Sequence, residues 1–442
     1  MSQKQEKYDV VILGSGIGGL CCAALLANKG YKTLVAEKMP MIGGRCSTLA
    51  YKGFKIPTGV VAVPMSGVLK SVFDEVGADF DVSPITVLPK YLIDNKIIDE
   101  PADGQPLSIL SCFCTDKKEV SMLQKGIERA QTWNAPSNET SLLDFLYQYT
   151  KNENLISYFN NKCDIFFTVG AHEASAREYF LSHTGILKDF QPIGFANQGS
   201  ISLMKALKKV IEDKGGKVLT QCRAKKILVK NQIAEGVVVE GIKGETTIMA
   251  TAVVSNTGPK KTVALAGKEH FDKGYLKEVI NMVPSFQMWV TTISDRPLFD
   301  IPFLFTLKTK RLLTFLSASL VSPGLAPEGK YIHYSISGPA SQTGPWNLQN
   351  EVDLHIQDLK DNIPDFNKYG KILHVGCYWG ELPTYSNTPI TGFHNIPQKT
   401  AVENLYNVGD GVSKEDGFSC GSPGCALTAR IVAEDIKNRF KP

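Results

Sequence analysis

Along the 442 residues, apolar positions follow two spacings, short continuous runs and a helical stripe. A run at 8–13 leads into Gly14-Ser15-Gly16-Ile17-Gly18-Gly19, an Ala/Leu-rich stretch follows, and a second apolar run ends at Glu37. Runs of this length bounded by glycine read as buried strands, and the stretch between them reads as the crossover helix of a βαβ unit. A separate amphipathic segment, 201–214, ends at Gly215-Gly216 as a helix C-terminus does. Short strands are predicted after it at 217–221, 226–229, 235–239, 247–249 and 252–256. Alternating or β-rich runs at 285–293, 330–336 and 372–379 predict a second sheet. A last short strand falls in 404–411, and a final helix begins near Pro423-Gly424-Cys425. From about 80 to 195 the rhythm breaks into helical-looking segments such as 141–149.

Each piece of the N-terminal unit has a physical job. Gly14 permits the tight turn off the first strand, Gly16 lets a pyrophosphate approach the backbone, and Gly19 lets helix and strand pack closely. The helix N-terminus offers N–H groups and a positive dipole end to phosphates. Glu37 can accept hydrogen bonds from both hydroxyls of a ribose, and its charge disfavours the 2′-phosphate of NADP. Gly43-Gly44-Arg45 follows six residues later, a turn in which two glycines admit the pyrophosphate and an arginine can pair with it. A plain NAD dehydrogenase needs no such element, which makes NAD as sole cofactor the weaker reading.

With the glycine triplet, the acid and the Gly-Gly-Arg turn in this order, the chain resembles the FAD-dependent amine oxidase and phytoene desaturase superfamily. The stretch from Gly43 through Ser47 to Tyr51-Lys52-Gly53-Phe54 looks more like the phytoene desaturase and carotenoid isomerase branch. That branch has an Asp before Thr-Gly where this chain has Pro57 before Thr58-Gly59. The resemblance implies an α/β fold: a discontinuous Rossmann-like FAD-binding domain and a second α+β substrate domain on a mostly antiparallel sheet. It places the FAD domain at 1–80, 195–275 and 396–442, and the substrate domain at 81–194 and 276–395. The implied cofactor contacts are Gly14, Gly16, Ile17, Gly18, Gly19, Glu37, Lys38, Gly43, Gly44, Arg45, Ala224, Gly409, Asp410 and Cys425. Among them Ala224 would meet the adenine edge through its backbone, and Asp410 would accept from the ribityl hydroxyls. The N-terminus of the final helix would face the flavin pyrimidine ring and favour its anionic reduced form.

Composition narrows the rest. With 43% hydrophobic and 21% charged residues and a net charge of +4, the chain reads as an ordinary folded protein. Its charges are interspersed, so nucleic acid is not implied, while a weak preference for anionic surfaces leaves peripheral membrane contact open. Ten cysteines lack a disulfide or zinc spacing and fit thiols used as small apolar residues in a reducing cytoplasm. The run from Val10 to Ala27 mimics a signal peptide or a span, but its glycines fall where a phosphate loop needs them.

The seven histidines have no metal-ligand spacing, and no metal is expected. Candidates for a catalytic role are Cys425, whose thiol pKa the helix dipole would lower, Tyr385, and His394 just before the final strand. Trp289, Tyr378 and Trp379 lie on the predicted second sheet, which in the resembling family floors the substrate cavity. The apolar segments 301–307 and 312–320, with Phe303, Phe305 and Phe315, could form a membrane-facing mouth or simply be buried. The function implied is FAD-dependent hydride removal from, or rearrangement of, an apolar polyene, isoprenoid or lipid-like substrate. Oxygen, a quinone and NAD(P) all remain open as the electron acceptor. The alternatives are a flavin amine oxidase, disfavoured because the strand at 285–289 lacks the lysine common there, and a flavin-binding protein without turnover.

Overall fold

The computed structural model describes residues 7–132, 136–137, 139–184, 192–282, 284–342, 344–378, 396–412 and 421–442. The βαβ unit forms as the pattern predicts: strand β1 (Lys7–Leu13), helix α1 (Ile17–Ala27) and strand β2 (Thr33–Ala36). β1 lies between β2 and the strand Gly244–Ser255 with all three parallel, and Lys217–Leu219 extends the sheet beyond β2. Every residue of α1 is buried. Its run of Gly, Cys and Ala explains how: small side chains let the sheet and the helices Ile201–Asp213 and Gly421–Arg439 pack closely around it.

The strand Gly244–Ser255 does double duty. Its first half pairs antiparallel with Ile233–Gly241, which pairs in turn with Arg223–Lys230. Its last residues, 253–255, pair in parallel with Leu405–Asn407. The sequence suggests two strands here; no Gly or Pro falls between Met249 and Ala252, so the backbone continues as one.

A second seven-stranded sheet runs in the order Lys371–Tyr378, Gln287–Ser294, Tyr331–Ser337, Leu312–Leu316, Phe303–Thr306, Lys90–Ile93, Lys96–Asp99. It is antiparallel throughout except where Phe303–Thr306 meets Lys90–Ile93, so the anticipated α/β class with a mostly antiparallel second sheet is what forms. Alternation along its strands sends Tyr91, Trp289, Phe305, Tyr334 and Ile336 to one face, against helices that include Leu142–Tyr147 and Glu153–Phe167. Leu92, Val290, Leu304 and Phe315 point to the other, against the helix Leu348–Asn362.

The segments 301–307 and 312–320 supply interior strands rather than a lipid-facing mouth: Phe305 and Phe315 are buried by the protein itself. The region from 80 to 195 is mainly helical, as its pattern suggests, but also holds short strands such as Val82–Pro84 and Lys90–Ile93. Strands of three or four residues are too short for alternation to show in a sequence. Among the described residues no helix is long and apolar enough to cross a membrane.

Candidate functional site

Three turns converge at the end of β1. The first, 14–19, wraps around Asn256, which follows the strand Gly244–Ser255. The Asn256 Oδ1 accepts from the Gly19 N–H at 3.0 Å, and its Nδ2 donates to the Val408 carbonyl at 3.0 Å. Glycine is a steric demand here: a Cβ on Gly19 would lie 2.2 Å from the Gly14 carbonyl, and one on Gly16 2.6 Å from the Asn256 Oδ1. The predicted close helix–strand approach is thus real, with an asparagine at its centre that the glycine motif does not announce.

The second turn, 43–45, lies against the first. Gly44 has φ +55°, and a Cβ there would meet the Gly16 Cα at 3.7 Å, so its glycine answers a backbone demand rather than a crowded space. The turn is held from behind by Thr58, whose hydroxyl donates to the Gly44 carbonyl at 2.9 Å and accepts from the Ser47 N–H at 3.1 Å. The Thr58-Gly59 pair beside Pro57 therefore buttresses the Gly-Gly-Arg turn.

The third comes from the end of the chain. Gly409 donates its N–H to the buried Thr428 hydroxyl of the last helix at 3.0 Å and sits against Gly18. Arg45 Nη2 pairs with Asp410 Oδ2 at 2.6 Å, joining the second turn to the third. Those two residues, expected to hold a cofactor separately, are in contact with each other.

Glu37 is buried at the tip of β2, 7% exposed. Its Oε2 accepts from the Ser15 N–H at 2.8 Å and the Ser15 hydroxyl at 2.7 Å, and its Oε1 accepts from the Met39 N–H at 2.8 Å. The Glu37 carbonyl accepts from the Cys222 N–H at 2.8 Å, which brings Ala224, two residues on, to the same end of the sheet. Ile17 is buried in α1, whereas the Lys38 side chain is exposed.

Cys425 lies inside the last helix, which begins earlier than predicted, at Gly421. Burial first, and the Asp410 carboxylate second, push its thiol well above the ordinary cysteine value against an opposing pull from Arg45. The expectation of a lowered thiol pKa is overturned because burial outweighs the helix dipole. The nine described cysteines are all free. Tyr385 and His394, together with Trp379, lie outside the described residues. His333 and His355 are buried between serine hydroxyls and pushed down to about 3 by burial, which makes them neutral core residues.

Comparison with known proteins agrees with this geometry. The model of the NAD(P)-binding Rossmann-like domain matches residues 12–76. An oxidoreductase of Methanosarcina mazei superposes with a TM-score of 0.83 at 26% identity over 96% of this chain and all of its own. Prolycopene isomerase 2 of an Oncidium hybrid is 26% identical over 98% of this chain and 85% of its own length. The chain resembles the amine oxidase and phytoene desaturase superfamily in sequence pattern and fold. Within that superfamily, the match to the phytoene desaturase of Cercospora nicotianae, at 25% identity, takes in 44% of this chain and 28% of the desaturase. An uncharacterized protein of Methanocaldococcus jannaschii is 24% identical over 92% of this chain and 94% of its own length. A putrescine oxidase structure shares the fold with a TM-score of 0.74 at 14% identity, over 98% of this chain. The molecule thus carries a Rossmann-like domain and shares its fold with an oxidoreductase.

Sequence reading missed four residues of this site: Ser15, Thr58, Asn256 and Thr428. The signal for Asn256 was its place, an amide directly after an apolar strand; the others are small hydroxyl residues that no spacing marks.

Proposed function

We propose that the protein is an FAD-dependent oxidoreductase acting on an apolar, isoprenoid or lipid-like substrate. The observation that carries the cofactor is the second glycine turn, seated against the first and tied through Arg45 to Asp410. A mononucleotide or NAD unit needs only the first turn. The residues fit FAD: the crowded glycines leave backbone where a pyrophosphate would lie, and Arg45 supplies a guanidinium beside it. Of about four acceptor positions on the Glu37 carboxylate three are taken, which leaves capacity on Oε1 for one ribose hydroxyl. The second hydroxyl would have to displace Ser15.

When bound, FAD supplies a hydride acceptor. The chain's own contribution is positional: Asn256 and Thr58 fix the two turns, and the Arg45–Asp410 pair closes them. An apolar substrate is supported by the likeness to carotenoid-processing proteins and by the aromatic face of the second sheet. Glu37→Arg tests the cofactor. The variant should lose FAD tenfold or more, since a charged hydrogen bond is worth roughly 1.5–3 kcal/mol. A variant that purifies fully yellow would overturn the assignment.

A further inference from the structure

Two buried polar atoms on the helix-covered face of the second sheet have no hydrogen-bond partner. Trp289 is 5% exposed and its Nε1–H finds no acceptor, and His374 Nδ1 is likewise unpartnered. They are neighbours by register: Trp289 stands directly across from Gly376, and Thr291 across from His374. Residues two apart on a strand share a face, so Trp289, His374, Gly376 and Tyr378 all lie on one side.

Gly376 is what lets Tyr378 and His374 come together. A Cβ there would come within 2.7 Å of the Tyr378 hydroxyl oxygen and 3.1 Å of the His374 ring, so both side chains lean over the glycine from either side. Burial lowers the His374 pKa from its ordinary value of 6.5, which leaves one ring nitrogen a donor and the other an acceptor at neutral pH. The same face also carries Gln287, across from Tyr378, and Thr291, with Tyr334 and Ile336 on the strand that pairs with Trp289. A buried donor without an acceptor costs about 1–3 kcal/mol, a cost that a ligand oxygen within reach of the Trp289 N–H would remove.

We propose that Trp289, His374 and Tyr378 form an oxygen-recognition subsite, so that the apolar substrate carries a hydroxyl or carbonyl oxygen and is not a pure hydrocarbon. This rests on the reading of the aromatic sheet face as the substrate floor. A ligand oxygen accepts from the Trp289 N–H, while His374 takes a hydroxyl proton or donates to a carbonyl. A hydrocarbon of the same shape leaves these groups unpaired, and a site built for hydrogen bonding discriminates by that difference.

Calorimetric titration of the purified protein with farnesol and with farnesene, matched C15 chains with and without the hydroxyl, tests it. Farnesol should bind at least tenfold tighter. Trp289→Phe and His374→Leu should each lower that preference about tenfold and leave farnesene affinity within twofold, and His374→Asn should restore part of it. Equal binding of the two ligands overturns the subsite, and so does a preference that neither variant changes, as expected if bound water satisfies these groups. Loss of both ligands in parallel overturns it as well, because the residues would then act only in packing. The flavin absorbance of the same samples judges the cofactor separately: colourless protein refutes FAD while the ligand preference still decides the subsite. Binding of neither ligand refutes the subsite and the apolar substrate class together.

Discussion

The two ends of this molecule satisfy their polar groups in opposite ways. Around the three converging turns most key side chains are partnered, the Ser47 hydroxyl excepted: Ser15 and Glu37 bond each other, Asn256 bridges two backbone segments, and Arg45 meets Asp410. On the second sheet, Trp289 Nε1 and His374 Nδ1 on one face and Thr292 Oγ1 on the other are buried without partners. Nearby helices hold acids that burial pushes up: Asp164 to about 8, with the Glu173 carboxylate adding to the shift, and Glu178 to about 7 against an opposing pull from Arg177. A region whose own atoms satisfy one another presents a fixed shape. A region that leaves polar groups unpaired is selective for whatever pairs them.

The first way to break this contrast is at its most rigid point. Gly19→Ala forces a methyl to within 2.2 Å of a carbonyl oxygen, and both backbones belong to buried elements that cannot yield cheaply. Urea unfolding should show a loss of about 3 kcal/mol, accompanied by loss of bound flavin. An alanine variant with wild-type stability would mean that helix and strand do not touch as described.

Next in size is Asn256→Ala, which leaves the Gly19 N–H and the Val408 carbonyl without their side-chain partner and should cost about 2 kcal/mol. Asn256→Asp keeps an acceptor for Gly19 but cannot donate to Val408, so it should recover only part of that loss. If aspartate restores everything, the bridge to Val408 carries no weight.

Asp164 sharpens the other side. Its folded value, about 8 against an ordinary 3.8, means that the native state holds a proton the unfolded chain releases above about pH 4. The stability it contributes is therefore present in acid and is lost as pH rises through that window. Asp164→Asn should flatten the fall in Tm between pH 5 and 8 and gain about 2 kcal/mol at pH 8. Parallel Tm profiles for the variant and wild type would show that the carboxyl is solvated.

The smallest effect belongs to Cys425. Its thiol should resist labelling in the native protein, and Cys425→Ser should change flavin content by less than twofold, since the buried group acts only as a small side chain. Rapid native labelling would return it to the list of reactive groups.

These differences also set what could be read in advance. The glycine turns, Glu37 and the Gly-Asp return were legible because backbone approach and backbone φ restrict residue type at fixed local spacing. Asn256 was not, since it serves a turn distant in sequence: 237 residues separate it from Gly19. The second sheet was legible as strands but not as a site. Trp289, Gly376 and His374 acquire meaning only from cross-strand register, which no local pattern encodes. The Cys425 expectation failed for a related reason, because a helix N-terminus is visible in sequence whereas the burial that dominates its thiol is not.

The ion pair between Arg45 and Asp410 joins residues 365 positions apart. On a ribosome the glycine turns emerge early and wait for Val408, Gly409 and Asp410 to be translated. Until then Gly19 lacks the Asn256 bridge's far anchor and Arg45 lacks its acid. Joining of the three turns thereby awaits residues 408–410, so a chain truncated upstream of residue 408 cannot bring them together.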